Sequence, residues 1–379
     1  MKIAAIICEY NPFHNGHKYQ VEKLKEEYDA IVAVMSGNFV QRGSMAIRDK
    51  WTRAEMAIKN GVDLVAELPV SYAVNTAEKF AYGAVSLVDA MGVVDTLSFG
   101  SESGDIDEFY RAAEILNNEP KEVSEKIREL LAMGECFPKA REIAYEGHIN
   151  QDVLRTPNNI LGVEYVRALL KLNSKVKAET IKRIGSGYNE EELSGNFSSA
   201  TAIRSAIENG ADYKDAVPES VIEILNSTEG FSEENLYNLL QYKVLTGGVE
   251  FIKNINDVSE GLENKIYRAV KDSKTFLEAE EKIKSKRYTL SRIRRILVSI
   301  VLGIKKDFYV PDYIRVLGMN KRGQEILKEM KKISDLDIIV KTADFDKDML
   351  KKDILATDIA YLTVNGEMGK DYKTSPVIM

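Results

Sequence analysis

Three short apolar runs near the start of the chain, KIAAIIC, AIVAVMS and VDLVAEL, are separated by HKYQVEKLKEEY and DKWTRAEMAIKN, whose apolar positions recur at helical spacing. Strands that alternate with helices over such distances form βαβ units and a parallel sheet. Helix ends carry their own signals: Asp49 caps the segment holding Trp51 and Met56, and Gly61 follows its end. A longer helical pattern over residues 75–91 leads into DTLSFG, a fourth strand ending at Gly100.

Between about residues 105 and 170 the pattern turns helical with charged faces, which predicts an insertion into the α/β layer. KVKAETIKRI restores a strand, followed by the loop GSGYNEEELSGNFSS and a helix over ATAIRSAIENG. A first domain over 1–210 is therefore expected. From Tyr213 onward helical periodicity dominates in VPESVIEILN, EENLYNLLQYKVL, LENKIYRAVKD and RYTLSRIRRILVSIVLGI, with the short β-like runs YIRVLGM and LDIIVK late. Residues 211–379 are read as a mainly helical C-terminal domain that packs directly on the first, since no Gly/Ser linker separates them.

A length of 379 residues suits two domains, and 44% hydrophobic with 29% charged residues is ordinary globular composition. No apolar run approaches the roughly 18 residues of a membrane span, and the start is too short and too soon acidic for a signal peptide, so a cytoplasmic location with no membrane partner is expected. The two cysteines, Cys8 and Cys136, give neither a disulfide framework nor a metal-ligand spacing. A net charge of −7 argues against whole-molecule attraction to nucleic acid but leaves room for a local basic face. KIKSKRYTLSRIRRILVSIVLGIKK, residues 282–306, is the candidate: it holds nine cations and no carboxylate. The alternative is a helix that buries Leu290, Ile293, Leu297 and Ile300 and leaves its cations solvated.

The chemistry concentrates in HNGH. His14 and His17 are two of only three histidines in the chain, and they flank Gly16 where the first strand passes into a helix. In a parallel sheet this turn overlooks the ligand crevice, and a helix start there presents free N–H groups and a positive dipole end to an anion. Two imidazoles at that point suit phosphate oxygens during displacement at phosphorus. The alternative is a capping pair without catalytic work. Zinc is disfavoured, because His148 lies on a distant helical segment. In NFSSATAIRSAIENG, Ser198 or Ser199 caps a helix from which Thr201 and Arg204 project, either as a second half of the same site or as a plain cap. MSGNFVQRGSMAIRDK, with Asn38, Gln41, Arg42, Arg48 and Lys50, is read as a mobile lid over the same edge, the alternative being a solvated loop.

HNGH together with the SATAIR run resembles the HxGH nucleotidylyltransferase superfamily, with Ala200 where that superfamily usually has a hydroxyl. The stretches EYNPFHNGH, MSGNFVQRG, DKWTRAEMAI, ELP, FGSE, PNNILGVEY and NFSSATAIR, with a weaker match in ATDIAYL and DYKTSP, are similar to tRNA(Met) cytidine acetate ligases. The resemblance implies a Rossmann-like nucleotidylyltransferase domain with a helical insertion. It implies that ATP activates acetate as acetyl-adenylate, and that the acetyl group passes to N4 of the wobble cytidine of elongator tRNA(Met). Nucleotide contacts then fall on Ile7, Cys8, Glu9, Tyr10, Asn11, Pro12, Phe13, His14, Asn15, Gly16, His17, Lys18, Tyr19 and Gln20, and on Gly100, Asn158 and Arg183, joined by Ser198, Ser199 and Thr201 from the helix start. Asn158 is equally readable as a helix N-cap after Pro157. His14, His17, Lys18 and Arg204 would stabilise the phosphorus transition state, with Mg²⁺ bridging phosphates and no protein metal ligand assigned. Lys286, Arg287, Arg292, Arg294 and Arg295 are the expected tRNA contacts. The competing functions are a small-molecule adenylyltransferase of the same superfamily and a non-catalytic nucleotide- or RNA-binding regulator.

Overall fold

A computed structural model of the chain describes residues 1–183, 196–259, 261–307 and 310–379. Residues 184–195, most of the loop expected after KVKAETIKRI, lie outside the described residues. The strands are β1 (Ile3–Cys8), β2 (Ala30–Ser36), β3 (Phe39–Val40), β4 (Ser44–Met45), β5 (Leu64–Leu68), β6 (Thr96–Ser101), β7 (Lys177–Lys182), β8 (Tyr313–Met319), β9 (Asp337–Ile339) and β10 (Val377–Ile378). The main sheet runs β10-β8-β5-β2-β1-β6-β7, with β9 beside β8.

β1 pairs in parallel with β2, Ile3 opposite Ala30 and Cys8 opposite Met35, and with β6 on its other side. β5 extends this parallel layer beyond β2, and β7 extends it beyond β6. All five strands thus open their carboxyl ends on one edge. The chain builds outward from β1 through β2 and β5, then returns to the other side of β1 with β6, which makes the β1/β6 junction the switch point where such sheets take ligands.

Alternate residues of β1 point to opposite faces, as the period-2 pleat requires. Ala4 and Ile6 pack with the helices Asn15–Lys25 and Lys50–Lys59, while Ile3 and Ala5 pack with Ala77–Ala90 and Pro157–Lys171. The inserted helices Ile106–Asn117, Lys121–Ala132, Phe137–Ala144 and Gln151–Arg155 extend that second core. A third core gathers Glu233–Lys253, Leu262–Lys271, Phe276–Ile283 and Leu290–Leu302.

The late β-like runs rejoin the sheet. β8 lies antiparallel to β5, with Glu67 opposite Arg315, and β9 and β10 flank β8. β8, β9 and β10 therefore belong to the α/β layer, and the boundary near residue 210 does not part the sheet from the rest of the chain. We propose that the second unit is the helical cluster of residues 233–302 and that the chain then returns to complete the first.

What holds β8 in place is a buried ionic cluster. Lys50 Nζ lies 2.8 Å from both Glu67 Oε1 and Asp371 Oδ1, and Arg315 Nη1 lies 3.0 Å from Glu67 and also contacts Asp371. Burial alone pushes the Asp371 carboxyl up, but Lys50 and Arg315 hold it down to about 2. Two cations pair directly with two carboxylates in this cluster, the condition under which buried charges persist. No helix among the described residues is long and apolar enough to cross a membrane.

Candidate active site

The turn after β1 is built around its own side chains. Tyr10 has φ +45, a left-handed conformation that reverses the chain towards the helix Asn15–Lys25. His14 caps that helix: its Nδ1 accepts the N–H of Gly16 at 3.1 Å, and His17 Nδ1 accepts the N–H of His14 at 3.2 Å. This is a capping box made from two imidazoles. The rings stack with centroids 3.7 Å apart and 23° between planes. Gly16 is required here, because a Cβ at that position would lie 2.9 Å from His14 Cε1 and 3.1 Å from His14 Nδ1.

Because both Nδ1 atoms accept, each neutral ring carries its proton on Nε2. Burial, then the Arg183 and Arg204 guanidiniums, push His14 down to about 3. Burial, His14 and Arg183 push His17 well below its ordinary value. The pair therefore stays uncharged near neutral pH and offers two Nε2–H donors with fixed tautomers. These sit beside the helix start, whose positive dipole end favours an anion.

The second element converges on the first. Ser199 caps the helix Ala200–Glu208 by accepting the Ala202 N–H at 3.0 Å. Arg204 donates to Asn11 O at 2.8 Å and to Thr201 Oγ1 at 3.2 Å. Asn15 Nδ2 donates to Asn196 O at 3.1 Å and Asp215 O at 2.8 Å, tying the two helix starts together. One cleft is lined by Ile7, Cys8, His14, Gly16, His17, Tyr19 and Gln20 from the first element, by Phe197 and Ser198 from the second, and by Gly100, Asn158 and Arg183. It lies over the β1/β6 switch point.

The matched segment is not uniform in what it does. Glu9 Oε1 accepts the Gln41 N–H at 2.8 Å, Asn11 Oδ1 accepts the Ile47 N–H at 2.7 Å, and Pro12 and Phe13 are buried. These residues, with Tyr10 and Asn15, shape the turn, whereas the residues named above face the cleft. Lys18 is about half exposed, its Nζ 3.9 Å from Glu22. Cys8 donates weakly to Val34 O at 3.8 Å, and burial pushes its thiol far up, so it stays protonated. Asn158 is not the N-cap of its helix. Thr156 holds that position, and Asn158 Nδ2 donates to Glu102 Oε1 at 3.2 Å. Among the described residues no three His, Cys, Asp or Glu side chains converge as metal ligands.

Residues 1–374 match the family model for HIGH nucleotidyl transferases. Over the full length of both sequences the chain is 44% identical to the tRNA(Met) cytidine acetate ligase of Clostridium novyi. It is 48% identical to that of Thermoanaerobacter sp. strain X514, over 95% of this chain and 94% of the relative. The chain belongs to the tRNA(Met) cytidine acetate ligase family. Thermotoga maritima TmcAL, solved with alpha-thio ATP bound, shares its fold with a TM-score of 0.91 at 36% identity, covering all of both chains. Members of the tRNA(Met) cytidine acetate ligase family are ligases, and this chain is an enzyme of that class.

Two expectations change. The stretch after β2 is no mobile lid. Its hairpin β3/β4 buries Phe39 and Met45 in the helical core, and a Cβ on Gly43, at φ +79, would strike the backbone of Arg294 and Arg295 within 2.8 Å. Two of its three cations are bound internally, Arg48 donating to Thr228 Oγ1 and Leu225 O and Lys50 belonging to the ionic cluster, while Arg42 is exposed. The polar content that suggested solvent contact satisfies buried partners instead.

The basic stretch is likewise divided. Arg292 Nε lies 3.1 Å from Asp257 Oδ1, Arg294 Nε 2.5 Å from Glu280 Oε1, and Arg295 Nη2 3.6 Å from Asp257 Oδ2. These three arginines brace the helical core with carboxylates remote in sequence, which a local charge count does not register. Lys286 and Arg287, in the turn before the helix Leu290–Leu302, are exposed. The cleft also recruits residues that the motifs did not single out, Phe99, Leu161, Tyr165, Ile181, Lys182 and Phe197. Their signal was position: each falls in or beside a quoted stretch, on a strand or helix that meets the cleft or in the turn leading into one.

Proposed function

We propose that the protein is an ATP-dependent acetate ligase that forms acetyl-adenylate and transfers the acetyl group to N4 of the wobble cytidine of elongator tRNA(Met). The observation that carries this reading is the pair of neutral, stacked imidazoles with both Nε2–H groups free to donate, set at a helix start in the cleft that the Ser198 segment shares. Similarity to the ligases of Clostridium novyi and Thermoanaerobacter, and to a relative solved with an ATP analogue, supports it.

In the first step a carboxylate oxygen of acetate attacks the α-phosphorus of ATP and pyrophosphate leaves. Negative charge grows on the phosphoryl oxygens. His14 and His17 meet it with hydrogen bonds that need no proton transfer, because their tautomers are already set. Arg183 and Lys18 add positive charge at the mouth, and the serines at the second helix start hold the far phosphates. Arg204, engaged with Asn11 O and Thr201, fixes the distance between the two elements. No side chain of the cleft is assigned to Mg²⁺, which would be held by the phosphates themselves and would supply charge neutralisation there; the imidazoles and cations of the cleft suit the phosphates rather than the metal.

In the second step the exocyclic amine of cytidine attacks the acetyl carbonyl, AMP leaves, and the amine loses a proton. A weak nucleophile such as this needs the mixed anhydride, which is why ATP is consumed. Lys286 and Arg287 are the solvent-facing cations we assign to the tRNA backbone, and we place the enzyme in the cytoplasm, where tRNA and ATP are. Incubation with ATP, acetate and total tRNA, followed by nucleoside mass spectrometry, is expected to show one acetyl group gained on cytidine, and His17→Ala is expected to abolish it. Pyrophosphate release triggered instead by a small phosphorylated metabolite, with cytidine unmodified, would replace this reading with that of a small-molecule adenylyltransferase.

A further inference from the structure

Glu102, just beyond β6, is joined to the start of the helix Pro157–Lys171 by three hydrogen bonds. Its N–H donates to Asn159 Oδ1 at 3.3 Å, Thr156 Oγ1 donates to its Oε2 at 2.9 Å, and Asn158 Nδ2 donates to its Oε1 at 3.2 Å. Asn159 is itself buried and anchored, donating to Asp152 O at 3.0 Å. The carboxylate is thus held on its backbone and on both oxygens.

An ionised carboxylate only accepts, so Asn158 must turn its NH₂ towards Glu102, and its carbonyl Oδ1 then faces the other way. Asn158 lines the cleft and Glu102 does not. The atom Asn158 presents to a ligand is therefore an acceptor of fixed orientation. Phe99, Leu161 and Tyr165, from the same two elements as Glu102 and Asn158, line the cleft with Asn158, whereas the imidazoles and Ser198 come from the two other helix starts and Arg183 from the end of the neighbouring strand. A triphosphate is drawn to the imidazoles and the Ser198 helix start and repelled by Glu102. The flat, apolar part of the nucleotide belongs beside Asn158.

The geometry points to Asn158 Oδ1 as the acceptor for the 6-amino group of adenine, with Glu102 as the positioning residue that locks the amide and so makes the enzyme select adenine over guanine. Guanine carries a carbonyl oxygen at that corner, which would face another acceptor. This rests on the reading that ATP occupies this cleft. Discrimination built on a buried or half-buried hydrogen bond is typically about 10- to 100-fold, because the wrong base leaves a polar group opposed rather than merely unpaired.

The test is acetate-dependent pyrophosphate release by the full chain with ATP, GTP and purine riboside triphosphate, which lacks the 6-amino group. Wild type is expected to prefer ATP roughly 100-fold over GTP and about tenfold over the purine analogue. Glu102→Ala frees the amide to flip and offer its NH₂ to guanine. Its activity with GTP should rise in absolute terms, and the ATP to GTP ratio should fall by about tenfold or more. A merely structural role for Glu102 cannot give that gain. Asn158→Ala should use ATP and the purine analogue equally well. Ratios unchanged from wild type in both variants, or ATP and GTP falling by one common factor, overturn the inference while leaving the ligase reading intact. No pyrophosphate from wild type with ATP and acetate overturns both.

Discussion

Replacing Gly16 with alanine puts a methyl carbon 2.9 Å from His14 Cε1 and 3.1 Å from its Nδ1, closer than carbon and nitrogen tolerate. The ring must swing away, and it then loses the Gly16 N–H and the stack with His17 that sets the direction of its Nε2–H. Two effects on stability oppose each other. Losing the cap costs about 1 kcal/mol, while alanine favours helix over glycine by about 1 kcal/mol, so little net change is expected. Turnover has no such compensation. Removing one oriented donor from a charge-stabilising site typically lowers kcat by about 100- to 1000-fold. The variant is therefore expected to melt within a few degrees of wild type yet release pyrophosphate at least about 100-fold more slowly, with saturating acetate and ATP. Wild-type turnover from a folded Gly16→Ala enzyme would refute the claim that the capped, stacked geometry of His14 is what the chemistry uses.

Burial and the neighbouring guanidiniums hold His14 at about 3 against an ordinary value of 6.5, so turnover should show no histidine limb between pH 6 and 7. The unfolded chain does bind that proton below pH 6.5, so stability should fall as pH drops from 6.5 towards 3, by about 2 kcal/mol at pH 5 from His14 alone, and urea unfolding of wild type against His14→Gln measures it. Asp371→Ala leaves Lys50 and Arg315 with one buried carboxylate between them, which should cost about 3–5 kcal/mol in thermal or denaturant unfolding although residue 371 is far from the cleft in sequence. Lys286→Glu with Arg287→Glu should remove tRNA acetylation, and its steep salt dependence, while acetate-dependent pyrophosphate release persists. Reversing Arg292, Arg294 and Arg295 instead breaks pairs with Asp257 and Glu280 and should lower the melting temperature and both steps together.

The parallel layer was legible because β1, β2 and β5 are mostly apolar runs separated by segments of helical periodicity, and Asp49 caps its helix as the sequence predicts, accepting from the N–H groups of Trp51 and Thr52. The HNGH turn was legible for the same reason, since a strand end followed by a helix start fixes where its residues point. β8 was hidden. Its partner β5 lies some 250 residues earlier, and its neutrality depends on Lys50, Glu67 and Asp371, contributions from three remote segments. Charge counts failed in the same way at Arg48 and Arg292, because a local sum cannot tell a solvated cation from one facing Asp257 across the core. Asn158 lay between both cases. Its motif flagged it, but the Glu102 contact that orients it is visible only in three dimensions.

The central claim is that the two imidazoles and the Ser198 helix start act on one triphosphate. A crystal structure of the chain with a non-hydrolysable ATP analogue tests it most directly. Phosphate oxygens within about 2.6–3.2 Å of His14 or His17 Nε2, and of the serines at the second helix start in the same molecule, are the predicted result. A triphosphate reached by only one of the two elements contradicts it.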